Sequence, residues 1–315
     1  MNMKIPYALL VSSLLLQADI LPNVKNALNM DKQRENFLLN KVDKLDPSSM
    51  LFIKQYFSSS FGLYAYKANY LLPFSYSSRK YLYWNKDGVI GYHEKQYETE
   101  FQISIKKPVL YNLLGLNETL TFAYTQTVWW QVYSSSSPFR ETDYEPEVFL
   151  TIPTSKHVDE QYKLKGLRFG FLHQSNGQDG LQSRSWNRIY LSAIWQHENL
   201  FTNLRIWYRI PEDKKTSPTD ESGDDNPDIE KYIGYGDLSF SYIYKENHFT
   251  MLLRNNLRTK ENKGAIKVTY SRPLGLAKDT FLYIKLFSGY GESLIDYNRN
   301  INKLSVGFTF SRGIF

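Results

Sequence analysis

His173, Ser175 and Asn187 are the residues whose types could do covalent chemistry together. A serine hydroxyl is a weak nucleophile until a base takes its proton, and a histidine base needs a third group to hold its tautomer. Residues 167–175 read Leu-Arg-Phe-Gly-Phe-Leu-His-Gln-Ser, followed by Asn176 and Gly177. At the period of two that a strand imposes, Leu167, Phe169, Phe171, His173 and Ser175 share one face. After a short loop, Asn187, Ile189, Leu191, Ala193 and Trp195 share a face of a second strand. A hairpin would set Asn187 beside His173. The three side chains then offer a nucleophile, a base and an orienter, with a backbone N–H near Gly177 for an oxyanion. A serine and a histidine two apart are common, and polar residues at the end of an apolar stripe can simply mark its edge. Here both strands carry the polar groups on the greasy face, and that coincidence needs a reason.

The elements that must position these groups are legible in the composition. There are 25 Tyr, 19 Phe and 6 Trp, 16% of 315 residues, and they alternate with polar residues instead of forming long apolar runs. A membrane helix needs about 20 consecutive apolar residues; alternating, aromatic-rich segments suit a transmembrane β-barrel. The 38 basic and 32 acidic residues are interspersed, which leaves no basic footprint for nucleic acid. The absence of cysteine excludes a disulfide framework and a thiolate metal site.

Lys4 precedes an apolar run over residues 5–16, and Ala18 is a small residue suited to cleavage. Residues 1–18 therefore read as a secretory signal and 19–55 as an N-terminal periplasmic extension. From 56 to 315 the chain reads as strands separated by turn signals. They are expected over 61–76, 97–109, 119–130, 146–153, 167–175, 187–195, 200–210, 231–245, 247–257, 265–272, 280–290 and 303–315. The expected fold is all-β, a twelve-stranded antiparallel transmembrane barrel of the bacterial outer membrane. The last strand alternates Leu304, Val306, Phe308 and Phe310 and ends the chain at Phe315, an aromatic terminus of the kind that marks barrels for assembly. In such a barrel the apolar face meets lipid, so His173, Ser175 and Asn187 would meet lipid too. Polar residues there are costly and usually functional. With the N-terminus periplasmic, the His173 strand would end at the outer leaflet. Gln126 interrupts another outward stripe of Leu120, Phe122, Tyr124, Val128 and Trp130. An amide facing hydrocarbon needs a partner, and a second Gln126 across a two-fold axis would serve. A bulge turning it inward is the alternative. Arg140, Glu141 and Asp143 read as a structural polar network in the loop or lumen near the site, and the acidic run 220–228 as a solvated outer loop, with divalent-ion binding as the alternative.

These residues sit in blocks that resemble the outer-membrane phospholipase A family: TQTVWWQ from Thr125, SSPFRETDYEP from Ser136, HQSNG from His173, SRSWNR from Ser183, DDNPDIEKYIGY from Asp224 and SGYGESLIDYN from Ser288. The resemblance implies hydrolysis of phospholipid and lysophospholipid acyl esters, calcium dependence and activation as a homodimer. By matching positions it makes His173 the base, Ser175 the nucleophile, Asn187 the orienter and Gly177 the oxyanion amide. It places calcium on the Ser183 hydroxyl, the Gln178 carbonyl and Ser136 from the second subunit, and Gln126 in the dimer interface. Gln174 and Gln178 depart from residues that some members carry, and the serine loop is shorter than in some. A porin or adhesin on the same barrel is the alternative; it would have no use for outward-facing His173, Ser175 and Asn187.

Overall fold

The computed structural model describes residues 40–50, 63–85, 88–217, 220, 222–275 and 279–315. The expected signal, 1–18, lies outside them, as does most of the expected extension; only 40–50 of it is described.

Twelve long strands form the barrel: β1 Asn69–Ser77, β2 Tyr97–Tyr111, β3 Thr119–Trp130, β4 Phe139–Pro153, β5 Leu164–Ser175, β6 Ser185–His197, β7 Leu200–Ile210, β8 Gly236–Tyr244, β9 Asn247–Asn255, β10 Gly264–Pro273, β11 Phe281–Gly289 and β12 Ile301–Ser311. Each pairs antiparallel with its chain neighbours, and β12 closes the ring on β1. The two-residue strand Tyr64–Ala65 adds to β2. Closure leaves no unpaired edge, which a sheet in hydrocarbon cannot tolerate. Two-residue turns at 198–199 and 245–246 lie at one end; the long segments 78–96, 176–184 and 211–235 lie at the other.

Alternation sorts the side chains. On β12 the outward Leu304, Val306, Phe308 and Phe310 are exposed, while Ile301, Lys303, Ser305 and Thr309 are buried. On β5, Leu167, Phe169 (56% exposed) and Phe171 face out, and Gly170 and Leu172 face in. The outer surface is thus apolar, and the lumen is charged and packed. Inside, Lys303 Nζ contacts Glu98 at 2.8 Å, Glu100 at 3.1 Å and Glu292 at 2.7 Å. Arg140 bridges Glu98 at 2.9 Å and Asp296 at 2.7 Å. Charges this far from water persist only when paired, and these pairs cross the barrel from β2, β4 and β12 to the segment 290–300.

Three expected strand bounds are corrected, and one element is added. β4 begins at Phe139, not at 146; Glu141, Asp143 and Glu147 are buried at period two, so the polar block is strand whose alternate residues belong to the lumen. β8 begins at Gly236 because Glu230–Ile233 forms a short helix, α2 here after α1 at Lys156–Tyr162. The segment 78–96 carries its own hairpin, Leu82–Asn85 with Gly88–Tyr92. The last strand ends at Ser311, so Phe315 is not on it. Gly313 lies against the Lys67 backbone, 2.8 Å from where a Cβ would stand, and Ile314 and Phe315 turn in to pack on Phe201, Ile243, Val42 and Leu45. Residues 40–50 are held at the same mouth by Lys165 with Asp43, 2.5 Å, and by Lys41 Nζ donating to the Thr154 carbonyl, 2.7 Å.

Lys303→Met should leave Glu98, Glu100 and Glu292 without their shared cation. The expected cost is about 3–5 kcal/mol, read as a lower guanidinium midpoint for the barrel in lipid vesicles.

Candidate functional site

His173 and Asn187 are directly paired across the β5–β6 ladder, and their side chains meet: His173 Nδ1 lies 2.8 Å from Asn187 Oδ1. The phase that aims them outward is held from inside. Trp186 Nε1 and Arg188 Nη2, on either side of Asn187, both donate to Gln174 Oε1, at 2.9 and 3.0 Å. Trp186 is fully buried, edge-on to Trp207 at 6.2 Å, with the Arg188 guanidinium 3.7 Å over its ring. Gln174 therefore faces the lumen, as its phase predicts, and leaves the triad alone. Ser175 pairs with Ser185 on one side and Tyr144 on the other. The β4–β5 ladder is interrupted at Pro146, opposite His173, where proline has no N–H to give. Among the described residues, the Ser175 hydroxyl makes no hydrogen bond within the chain. Serine–histidine contacts are often loose until substrate binds.

Gly177 has φ +64, and a Cβ there would stand 3.0 Å from the Tyr144 ring. A left-handed residue just after the serine turns its N–H away from the ladder. Among the described residues that N–H has no acceptor, which leaves it available to an oxyanion. Asn176, 2% exposed, shapes the turn. Its Oδ1 accepts from Arg184 N at 2.9 Å and Gln178 N at 3.3 Å; its Nδ2 donates to Glu141 at 3.2 Å and to the Gln182 carbonyl at 2.9 Å. Short polar side chains that bond nearby backbone are the usual makers of such turns.

The second half of the acidic run, from Asp224 to Asp228, is not a solvated loop. Arg209 pairs with Asp224 at 2.5 Å, Tyr297 donates to Asp228 at 2.5 Å, and the buried Asn226 accepts from Ser185 N at 3.0 Å. Asp225 accepts from the Ser183 hydroxyl at 2.7 Å and the Ser185 hydroxyl at 3.3 Å, and pairs with Lys215 at 2.5 Å. The segment 211–235 is thereby folded onto the serine loop. Its first acid, Glu212, accepts from Asn187 Nδ2 at 3.1 Å. Partial burial raises the Glu212 carboxyl above its usual value; the Asn187 bond and Arg209 pull against this, and Asp224 and Asp225 add to it.

Ser183 and Gln178 stand on this loop, whereas Ser136 lies exposed in the connection 131–138 with φ +63. Among the described residues, no hydrogen bond joins Ser136 to Gln178 or Ser183, and no cluster of three or more His, Asp or Glu is poised to hold a metal. Gln126 stays on the outward face: the β3 ladders are continuous through it, so the bulge alternative is not realised. Its Oε1 accepts from the Tyr124 hydroxyl at 3.0 Å.

Asn176, Asp225 and Glu212 are the site residues that the sequence reading missed. A period-two count could have found Glu212. Ile210 pairs with Asn187, and Glu212 is the next residue of that phase. Asp225 had no such signal, since its approach depends on how a long loop folds.

The phospholipase A1 family model matches residues 49–310. A phospholipase A1 of Salmonella typhimurium is 38% identical over 253 residues, 78% of this chain and 81% of that one. The Escherichia coli K12 phospholipase A1 is 35% identical over 253 residues, with the same coverage. A protein of Neisseria meningitidis serogroup B is 40% identical over 226 residues, 69% of this chain and 56% of its own length. Among solved structures, a Salmonella typhi outer membrane phospholipase, a dimer with bound calcium, superposes with TM-score 0.69 at 35% identity, covering 84% of this chain and 98% of that one. The outer membrane phospholipase A of Escherichia coli gives TM-score 0.67 at 33% identity, covering 81% and 100%.

Asn176→Ala should strand the N–H groups of Gln178 and Arg184 without their acceptor, at about 1–3 kcal/mol. Backbone amide exchange at Arg184 should quicken, while exchange in β5 and β6 stays slow.

Proposed function

The chain belongs to the phospholipase A1 family, and we propose that it is a calcium-dependent outer-membrane hydrolase of phospholipid and lysophospholipid acyl esters, active as a homodimer. The observation that carries this is the His173–Asn187 hydrogen bond, 2.8 Å, on a lipid-facing surface beside Ser175. A passive pore has no use for that pair there, and its lumen would not be filled by the Lys303–Glu98–Arg140 network.

Proton transfer starts at His173. Asn187 Oδ1 accepts from the Nδ1 side, which leaves Nε2 as the base for the Ser175 hydroxyl. The Ser175 oxygen attacks the acyl carbonyl and the carbonyl π electrons move onto its oxygen, which meets the Gly177 N–H. Collapse expels the glycerol-side alkoxide, which takes the proton from the His173 imidazolium. Water then attacks the acyl carbonyl as His173 takes its proton, and collapse breaks the bond to Ser175 and frees the fatty acid as His173 returns that proton to the Ser175 oxygen. The substrate arrives by lateral diffusion because the site faces lipid at the long-loop end, the outer-leaflet end in this orientation.

The Ser183 hydroxyl and the Gln178 carbonyl are hard oxygen donors of the kind calcium takes, and the Asp225–Lys215 pair beside Ser183 marks a place that already attracts a cation. Ser136 of the partner subunit would complete the donor set. Bound calcium would supply positive charge next to the developing oxyanion. Gln126 suits the interface. Tyr124 occupies its carbonyl oxygen, and its N–H groups are left for a second subunit, where a buried amide pair would set register. Association would then control an activity that could otherwise damage its own membrane. Residues 1–18 would be the export signal and 19–55 a periplasmic extension.

Ser175→Ala should lower kcat on detergent-dispersed phospholipid by ~10⁴-fold or more with the barrel intact; full activity in that variant would sink the proposal. Calcium chelation should stop fatty-acid release and reduce dimer cross-linking together, without unfolding the barrel.

A further inference from the structure

We propose that Glu212 is a fourth, positioning member of the site: its carboxylate holds the Asn187 amide in the one orientation that lets His173 act as base. The inference rests on the hydrolase reading above and names a residue that reading does not need.

The argument begins with a weakness of asparagine. An aspartate orienter presents only acceptors to the imidazole, so the facing nitrogen must carry the proton. An asparagine presents an acceptor and a donor of nearly equal size, and turning the amide over exchanges them. In the turned state Nδ2 would donate to His173, the proton would move to Nε2, and no base would face Ser175. A neutral orienter therefore needs something else to choose its orientation. Glu212 does this. Its carboxylate accepts and cannot donate, and it sits 3.1 Å from Asn187 Nδ2. The NH2 group is held there, Oδ1 is left for His173 Nδ1 at 2.8 Å, and Nε2 is free of its proton.

Glu212 is well placed for the task. Ile210 pairs with Asn187 at the end of β7, so Glu212 continues the same outward phase just beyond the last ladder rung. Arg209, its inward neighbour but two, is tied to Asp224 and to the Asn226 carbonyl at 3.2 Å. That anchors the chain where Glu212 leaves the strand. Asp225 and Lys215 of the same loop are paired with each other, so their charges do not compete for Asn187.

The test uses the full-length protein in detergent with saturating calcium. Glu212→Ala should lower kcat by roughly 10-fold or more, within what a positioned base contributes, with KM changed less than twofold. Glu212→Gln, which can turn its own oxygen to Asn187, should recover most of the loss. In the Asn187→Ala background Glu212→Ala should cost nothing further, because both act through one contact. Independently of turnover, imidazole ¹⁵N shifts of His173 should show a single Nδ1–H tautomer in the wild type and a mixture in Glu212→Ala. Unchanged kcat, a loss fully additive with Asn187→Ala, a loss that appears only below saturating calcium, or an unchanged tautomer would each overturn the proposal. If instead the wild type releases no fatty acid, the hydrolase reading fails, and the tautomer measurement still judges Glu212.

Discussion

Gln174 is the clamp on which the outward site depends. One side-chain oxygen accepts from Trp186 and from Arg188, the two residues that flank Asn187. Those bonds lie in the lumen and set the β5–β6 register from behind. Because the side-chain period is two, a slip of β6 by one residue against β5 would put Trp186 against lipid and turn Asn187 into the lumen, away from His173. Trp186, fully buried against Trp207 and under the Arg188 guanidinium, makes that slip costly. The chemistry on the outer face is thus secured by polar contacts on the inner one.

The same division runs through the whole barrel. The outer surface is apolar because hydrocarbon offers no hydrogen bonds, and the lumen is charged because it need not meet lipid. Lys303, Arg140 and their carboxylates fill the space that a pore would leave open. They also join the strands to the segment 290–300, whose Leu294 and Ile295 N–H groups donate to Asp143 and Glu141 at 3.1 and 2.9 Å. Glu141 in turn accepts from Asn176, the residue that shapes the turn after the nucleophile. A continuous set of buried contacts therefore connects the lumen to the serine loop.

Outside the strands, the decisive event is the folding of 211–235 back onto 176–184. Asp224, Asp225, Asn226 and Glu212 each reach a different partner, on Arg209, Ser183, Ser185 and Asn187. This turns a run of acids that would repel one another in water into separate, paired groups. It also gives the asparagine orienter a directionality that its own side chain lacks.

Alternation made the barrel and the partnership of His173, Ser175 and Asn187 legible in the sequence, because period two is a local property of the chain. It carried the outward direction of Gln126 and the inward direction of Gln174 for the same reason. Strand ends were less legible. Phe139–Glu145 read as loop because charged residues on a lumen face look like loop residues until the barrel supplies partners, and Phe315 read as strand until the close approach at Gly313 turned the chain inward. The role of Asp225 was decided by tertiary structure alone, and that of Glu212, whose phase continues the alternation of β7, by the partner that the loop brings it to. Their partners lie tens of residues away across a loop whose path no local pattern specifies, and a carboxylate acquires its function only from the group that it is brought to face.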